Sequence, residues 1–291
     1  MFKGSIVALI TPFRDGAVDE KGFQSFIDWQ IKEGTNAVVP CGTTGESPTL
    51  SHAEHKRVVE ACIEVAKGRV PVIAGTGSNS TDEAIDLTRH AKEAGANAAL
   101  IVNPYYNKPT QEGLFQHFKA IHDAVDLPII IYNIPGRTAV DMSIATMARL
   151  AKLRNIIGVK DATNDLVRPL RTREAIGPKF CMLSGEDHTA LAFRISGGDG
   201  CISVTANVAP RACAEMHGSW EKGNVARAME INQRLLPLND ALFAETSPAP
   251  VKFAASLLGK CSAEVRLPLV MPMPETQDKV RHAMRHAGVL N

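Results

Sequence analysis

Pro128-Ile129-Ile130-Ile131, Ile156-Ile157-Gly158-Val159 and Phe180-Cys181-Met182-Leu183 are three short apolar runs separated by amphipathic sequence. A strand with one wet face alternates apolar and polar residues, whereas a run that is apolar throughout is covered on both faces, as in a parallel sheet. Working outward, the same kind of run recurs at Ser5-Ile6-Val7-Ala8-Leu9-Ile10, Ala37-Val38-Val39-Pro40, Pro71-Val72-Ile73-Ala74, Ala98-Ala99-Leu100-Ile101-Val102 and Gly200-Cys201-Ile202-Ser203-Val204. The spacing is roughly 25 residues, the look of repeated βα units. Eight strands, each followed by a helix, favour a closed barrel over an open doubly wound sheet. Helix punctuation agrees: Ser51 with Glu54 three residues on reads as a capping box for a helix ending near Gly68, and Thr81 reads as the cap of a helix stopping at Gly95. After about Asn224 the strand signal stops, and helical patterns run from Val225 to Phe243, Pro250 to Leu258 and Glu275 to His286. The expected fold is α/β, a (β/α)8 TIM barrel over residues 1–223 with a C-terminal helical extension over 224–291.

The 291-residue chain is 45% hydrophobic, enough to bury one large core. Its 32 Lys and Arg nearly balance 31 Asp and Glu, so no basic stripe offers itself to a nucleic-acid backbone. Cys41, Cys62, Cys181, Cys201, Cys213 and Cys261 never form Cys-x-x-Cys and read as reduced thiols of a cytoplasmic protein. The N-terminus lacks the basic-then-apolar order of a signal peptide, and no apolar run approaches the ~18 residues of a membrane span. No nucleic acid and no membrane is therefore expected as a partner.

In a barrel of this kind chemistry sits where strands end. Lys160 ends the run Ile156–Val159, and burial there favours the uncharged amine, a nucleophile toward carbonyl groups; the alternative is a lysine that reaches solvent or pairs with Asp161. Tyr132 ends the fifth run and Arg137 follows it; a phenol can relay protons, and a guanidinium can fork onto a carboxylate. Gly42-Thr43-Thr44-Gly45-Glu46-Ser47 follows the second run with small residues and free amides suited to an anion, although a plain tight turn also accounts for its glycines. Neither this loop nor Gly75-Thr76-Gly77 completes a nucleotide-binding motif. His52, Glu54 and His55 share a helix but match no metal-site order, so no metal is expected.

Taken together, Gly42-Thr43-Thr44-Gly45-Glu46, Tyr132-Asn133-x-Pro135-x-Arg137-Thr138 and Gly158-Val159-Lys160-Asp161-Ala162-Thr163 resemble the pyruvate-dependent class I aldolase superfamily, and within it the dihydrodipicolinate synthase family. The similarity extends along essentially the whole chain, through Asn103-Pro104-Tyr105-Tyr106-Asn107-Lys108-Pro109, Gly200–Asn207 and Leu267-Pro268. The resemblance implies a lyase in which Lys160 forms a Schiff base with pyruvate and the resulting enamine attacks L-aspartate 4-semialdehyde, with no cofactor. It further implies that Tyr132, Thr43 and Tyr106 relay protons, Tyr106 reaching into a neighbouring subunit across a tight dimer. Thr44 would grip the pyruvate carboxylate, Arg137 the semialdehyde carboxylate, and the Gly185 and Ile202 backbones would line the pocket. Ser47, His52, His55, Asn79, Glu83 and Tyr105 match an allosteric site for lysine, with Pro48 a departure beside it. The assembly implied is a homo-oligomer, a tetramer built as a dimer of dimers.

Two other readings compete. N-acetylneuraminate lyase and sugar-acid aldolases share the lysine and the tyrosine, but Arg137 suits a short carboxylated aldehyde better than a polyhydroxylated partner. A non-catalytic barrel that binds a keto acid would be expected to lose a catalytic group, and every expected group is present.

Overall fold

A computed structural model describes residues 2–290. The chain divides into two compact units, one made of residues 4–71 with 203–290 and the other of residues 2–3 with 72–202.

In the first unit, β1 (Gly4–Ala8) pairs in parallel with β4 (Ala37–Val39), Ile6 opposite Ala37 and Ala8 opposite Val39. Between them β2 (Phe13–Arg14) and β3 (Ala17–Val18) make a small antiparallel hairpin that was not expected from the sequence. Its turn is Asp15-Gly16, both at positive φ, the backbone twist that a two-residue hairpin requires. Helix His52–Ala66 carries the expected capping box: the Ser51 hydroxyl accepts from the Glu54 amide and the Glu54 carboxylate accepts from the Ser51 amide. The C-terminal part is helical as expected, with helices Val225–Leu242, Ala249–Leu257 and Pro274–His286.

The second unit holds β5 (Ile73–Gly75), β6 (Ala98–Val102), β7 (Ile129–Asn133), β8 (Ile156–Asp161), β9 (Cys181–Ser184) and β10 (Gly200–Ser203), whose last residue passes into the first unit. Neighbouring strands in this series pair in parallel. Ile73, Ala99, Ile129, Ile130 and Ile131 are fully buried, so the continuous apolar runs are strands covered on both faces. Helices lie between them with one apolar face each. Thr81–Ala94 buries Ala84, Leu87, Thr88 and Ala91, and Gln111–Ala124 buries Leu114, His117, Phe118 and Ile121, both at the i, i+3, i+4, i+7 spacing. One cap differs from expectation: Ser80, not Thr81, accepts from the Glu83 amide, while Thr81 is the first helical residue and its hydroxyl meets His117 Nδ1 at 3.0 Å. Eight parallel strands in βα alternation, together with the helical C-terminal part, are the (β/α)8 barrel fold expected from the sequence.

Candidate active site

Tyr132 and Lys160 occupy matching positions at the ends of β7 and β8, where they are direct cross-strand partners. Both are buried, at 6% exposure each. The Lys160 amine lies 4.0 Å over the centre of the Tyr132 ring. Successive strand residues point to opposite faces, so Asp161 turns away from Lys160 and the pairing of these two weighed at the sequence level does not form. Asp161 meets Arg168 Nε at 3.0 Å, accepts from the Thr163 hydroxyl at 2.6 Å, and is itself 5% exposed. Burial pushes the Asp161 carboxyl above its usual range, against the pull of Thr163 and Arg168.

Arg168 also joins Asp141 at 3.3 Å and donates to the Met142 carbonyl. Asn133, at the end of β7, donates to Asp141 at 2.7 Å and accepts from Asn103 at 2.7 Å and from the Met142 amide. A polar network, buried except at Asp141, therefore ties the ends of β6, β7 and β8 to the segment after Arg137. Arg137 itself sits on the short turn Pro135–Thr138 and is exposed.

Gly185 follows β9 and its amide donates to the Asp161 carbonyl at 2.7 Å. A Cβ there would lie 3.0 Å from Lys160 Cε and 2.8 Å from the Ala162 Cβ, so glycine is what leaves the lysine stem its room. Glu186, next along, is a residue the sequence reading missed. Burial raises its carboxyl above the ordinary range, and the Lys160 charge is the largest influence in the other direction. A cluster of charged residues directly after a strand top, Glu186-Asp187-His188, was the available signal. Ile202 is fully buried in β10.

Among the described residues a second lysine is buried, Lys252. Its amine is 2.7 Å from a Glu46 carboxylate oxygen. Burial pushes the Lys252 amine below its usual range, against the pull of Glu46. The amine of Lys160 faces an aromatic ring in place of a carboxylate.

Thr43 and Thr44 lie on the turn Thr43–Gly45 after β4, Thr43 half-buried and Thr44 buried. Tyr106 is 90% exposed at φ 72°. Of the residues matched to the lysine site, Asn79 donates to the Tyr105 carbonyl at 3.2 Å, and Glu83 accepts from the Ser78 hydroxyl near the start of the same helix. In the other unit, Ser47 begins the turn Ser47–Thr49, His52 is exposed at the start of its helix, and His55 is buried at 4% exposure. Glu54 is committed to Arg266, which forks onto both of its oxygens and holds its carboxyl down at about 2.

Comparison with known proteins decides the family. The model of the Dihydrodipicolinate synthetase family matches residues 1–287. The chain belongs to this family. It is 69% identical to the 4-hydroxy-tetrahydrodipicolinate synthase of Rhodospirillum centenum, over the whole length of both chains, and 62% identical to that of Parvibaculum lavamentivorans, again over both whole lengths. Among solved structures it is similar to dihydrodipicolinate synthase from Aquifex aeolicus, with a TM-score of 0.97, 47% identity and 99% of each chain covered. The Acinetobacter baumannii enzyme, solved in complex with pyruvate, gives a TM-score of 0.97 at 47% identity with both chains wholly covered. The Cyanidioschyzon merolae enzyme, solved with lysine bound, gives 0.96 at 38% identity over 99% of each chain.

Proposed function

We propose that Lys160 captures pyruvate as a Schiff base and that the chain works as a 4-hydroxy-tetrahydrodipicolinate synthase, the lyase activity of its family. The observation that carries this reading is the position of the Lys160 amine: buried at a strand top, over the Tyr132 ring, and without the carboxylate that pins Lys252. In the reaction, the neutral amine adds to the ketone carbon of pyruvate, and loss of water leaves an iminium. The positive nitrogen acidifies the adjacent methyl group, whose deprotonation gives an enamine. The enamine carbon attacks the aldehyde of aspartate semialdehyde. The amino group of that substrate then closes on the former ketone carbon and releases Lys160, giving the cyclic product. Covalent capture divides one difficult carbon–carbon bond formation into easier steps.

In this reading Tyr132, Thr43 and Tyr106 move the protons. The Tyr132 ring already touches the amine whose water must leave, and the 90% exposure of Tyr106 suits a side chain donated to a neighbouring subunit. Thr44 and the loop amides take the pyruvate carboxylate, Arg137 takes the semialdehyde carboxylate, and the backbones of Gly185 and Ile202 line the pocket. Lysine is the effector, received by Ser47, His52, His55, Asn79, Glu83 and Tyr105; the lysine-bound relative supports this assignment. The enzyme assembles as a dimer of dimers in the cytoplasm, in keeping with cysteines that are scattered and never in Cys-x-x-Cys spacing. Among the described residues no helix is long and apolar enough to cross a membrane.

The test is an assay of condensation between pyruvate and aspartate semialdehyde, with and without added lysine, run beside Lys160→Ala. Turnover that vanishes in the variant supports the reading; near-normal turnover in the variant overturns it.

A further inference from the structure

Glu46 closes the turn Thr43–Gly45 with φ at 54°, a left-handed conformation disfavoured for a residue that carries a Cβ. Such a conformation persists where the surroundings over-determine it. Here they do. One carboxylate oxygen accepts from Lys252 Nζ at 2.7 Å and the other accepts from the Arg266 amide at 3.0 Å, partners 206 and 220 residues away in sequence. Lys252 is fully buried with its amine 4.0 Å over the Phe13 ring. The Arg266 guanidinium lies 4.3 Å over the same ring, binds the Thr49 carbonyl at 2.9 Å and forks onto Glu54. From the other side the Thr11 hydroxyl donates to the Gly45 carbonyl at 2.7 Å, and a Cβ on Gly45 would be 3.0 Å from the Leu9 carbonyl oxygen.

A fully buried ion pair is a poor device for stability alone, because desolvating two charges offsets much of their attraction and an apolar pair of the same volume serves as well. What it does supply is direction. A carboxylate with both oxygens engaged can sit in one place only, and Glu46 is covalently joined to the short turn that holds Thr43 and Thr44. We infer that Glu46, locked by Lys252 and the Arg266 amide, is a positioning residue that holds the Thr43-Thr44 turn in the geometry that grips the carboxylate of pyruvate. This rests on the reading that Thr44 and its loop take that carboxylate. Glu46 touches no substrate; it acts through the backbone it anchors.

The test uses the full-length protein and two variants, E46Q and the double variant E46Q/K252M, which removes both charges together. Pyruvate KM, semialdehyde KM and kcat are measured, along with the pyruvate concentration that gives half-maximal covalent trapping by borohydride. The expected result is a pyruvate KM and half-trapping concentration raised about ten-fold or more in the double variant, with the semialdehyde KM changed by less than about three-fold and kcat lowered as well, because Thr43 rides on the same turn. A purely structural role would lower kcat through loss of active protein and leave the pyruvate KM in place. A folded variant whose pyruvate KM stays within about two-fold of the parent overturns the inference. The single variant E46Q, which keeps shape and volume, decides the matter where the double variant does not fold. A measurement on the unaltered protein decides it independently: the hydrogen-bonded amides of Gly45 and Glu46 are expected to exchange with deuterium as slowly as those of β4, and exchange as fast as an exposed loop overturns it. Failure of the unaltered enzyme to be trapped by pyruvate at all sinks the Schiff-base reading. Normal trapping of both enzyme and variants at the same pyruvate concentration sinks only the role given to Glu46.

Discussion

Tyr132 and Lys160 are opposite one another in the β7–β8 ladder, and the amine of one rests 4.0 Å over the ring of the other. The ring face leaves that nitrogen without the charge-assisted carboxylate bond that fixes Lys252. A lysine so placed is not committed to a carboxylate partner, as the role proposed for it requires.

The space beside that lysine is made by a missing side chain. Gly185→Ala puts a methyl group 3.0 Å from Lys160 Cε and 2.8 Å from the Ala162 Cβ. Overpacking of this kind costs roughly 1–3 kcal/mol of stability, but displacement of the amine is the larger consequence. We expect kcat to fall at least about ten-fold while the variant still unfolds cooperatively. Steady-state kinetics beside thermal unfolding checks this; a fully active Gly185→Ala would show that the lysine stem tolerates displacement.

Arg168 supplies the cation for a buried aspartate. Arg168→Met removes the partner 3.0 Å from Asp161 and leaves Asp141 with Asn133 alone among the members of the network. Breaking a buried pair from one side typically costs 3–5 kcal/mol, and roughly that loss is expected here. The carboxyl of Asp161, already raised by burial, rises further without Arg168. Denaturant unfolding at neutral pH measures the loss; a change under about 1 kcal/mol would contradict the role given to the network.

His117 makes stability depend on pH. Burial pushes its imidazole down to about 4, so the folded protein refuses a proton that the unfolded chain accepts near 6.5. The stabilisation is therefore fully present above about pH 6.5 and is lost as pH falls through the folded value near 4, at most about 3 kcal/mol in all. His117→Gln is expected to flatten the unfolding free energy across that window. An unchanged slope would assign the dependence to other groups.

Most of the architecture is legible in the sequence because its strands are covered on both faces: the runs at Ile129–Ile131 and Ala98–Val102 are apolar throughout and could be placed by eye. The helix starting at His52 was readable for a local reason, since both halves of its capping box lie within four residues. The Ser80 cap was misplaced by one position because Ser80 and Thr81 are both good caps, and the choice rests on the tertiary contact of Thr81 with His117. The Asp15-Gly16 hairpin carried a usable turn signal, but its strands are two residues each, too short for any periodicity. At the site, Lys160 and Tyr132 stood at strand ends, where the fold says to look, whereas Gly185 came only from the family resemblance. The pairing of Lys160 with Asp161 failed as a possibility because adjacent strand residues face opposite ways. Glu46 with Lys252 and Asp161 with Arg168 were invisible for another reason: a charged residue shows its partner in sequence only when a helix or strand period brings the two together, and here loops and distant segments do so.

The proposed mechanism depends on one covalent bond. Treating the enzyme with pyruvate and borohydride, digesting it and weighing the peptides locates any lysine that forms an imine. The expected result is one reduced pyruvate adduct, on the peptide carrying Lys160, formed only when pyruvate is present. An adduct on Lys252 or a surface lysine with Lys160 unmodified, or no adduct from an enzyme that still turns over, would contradict it.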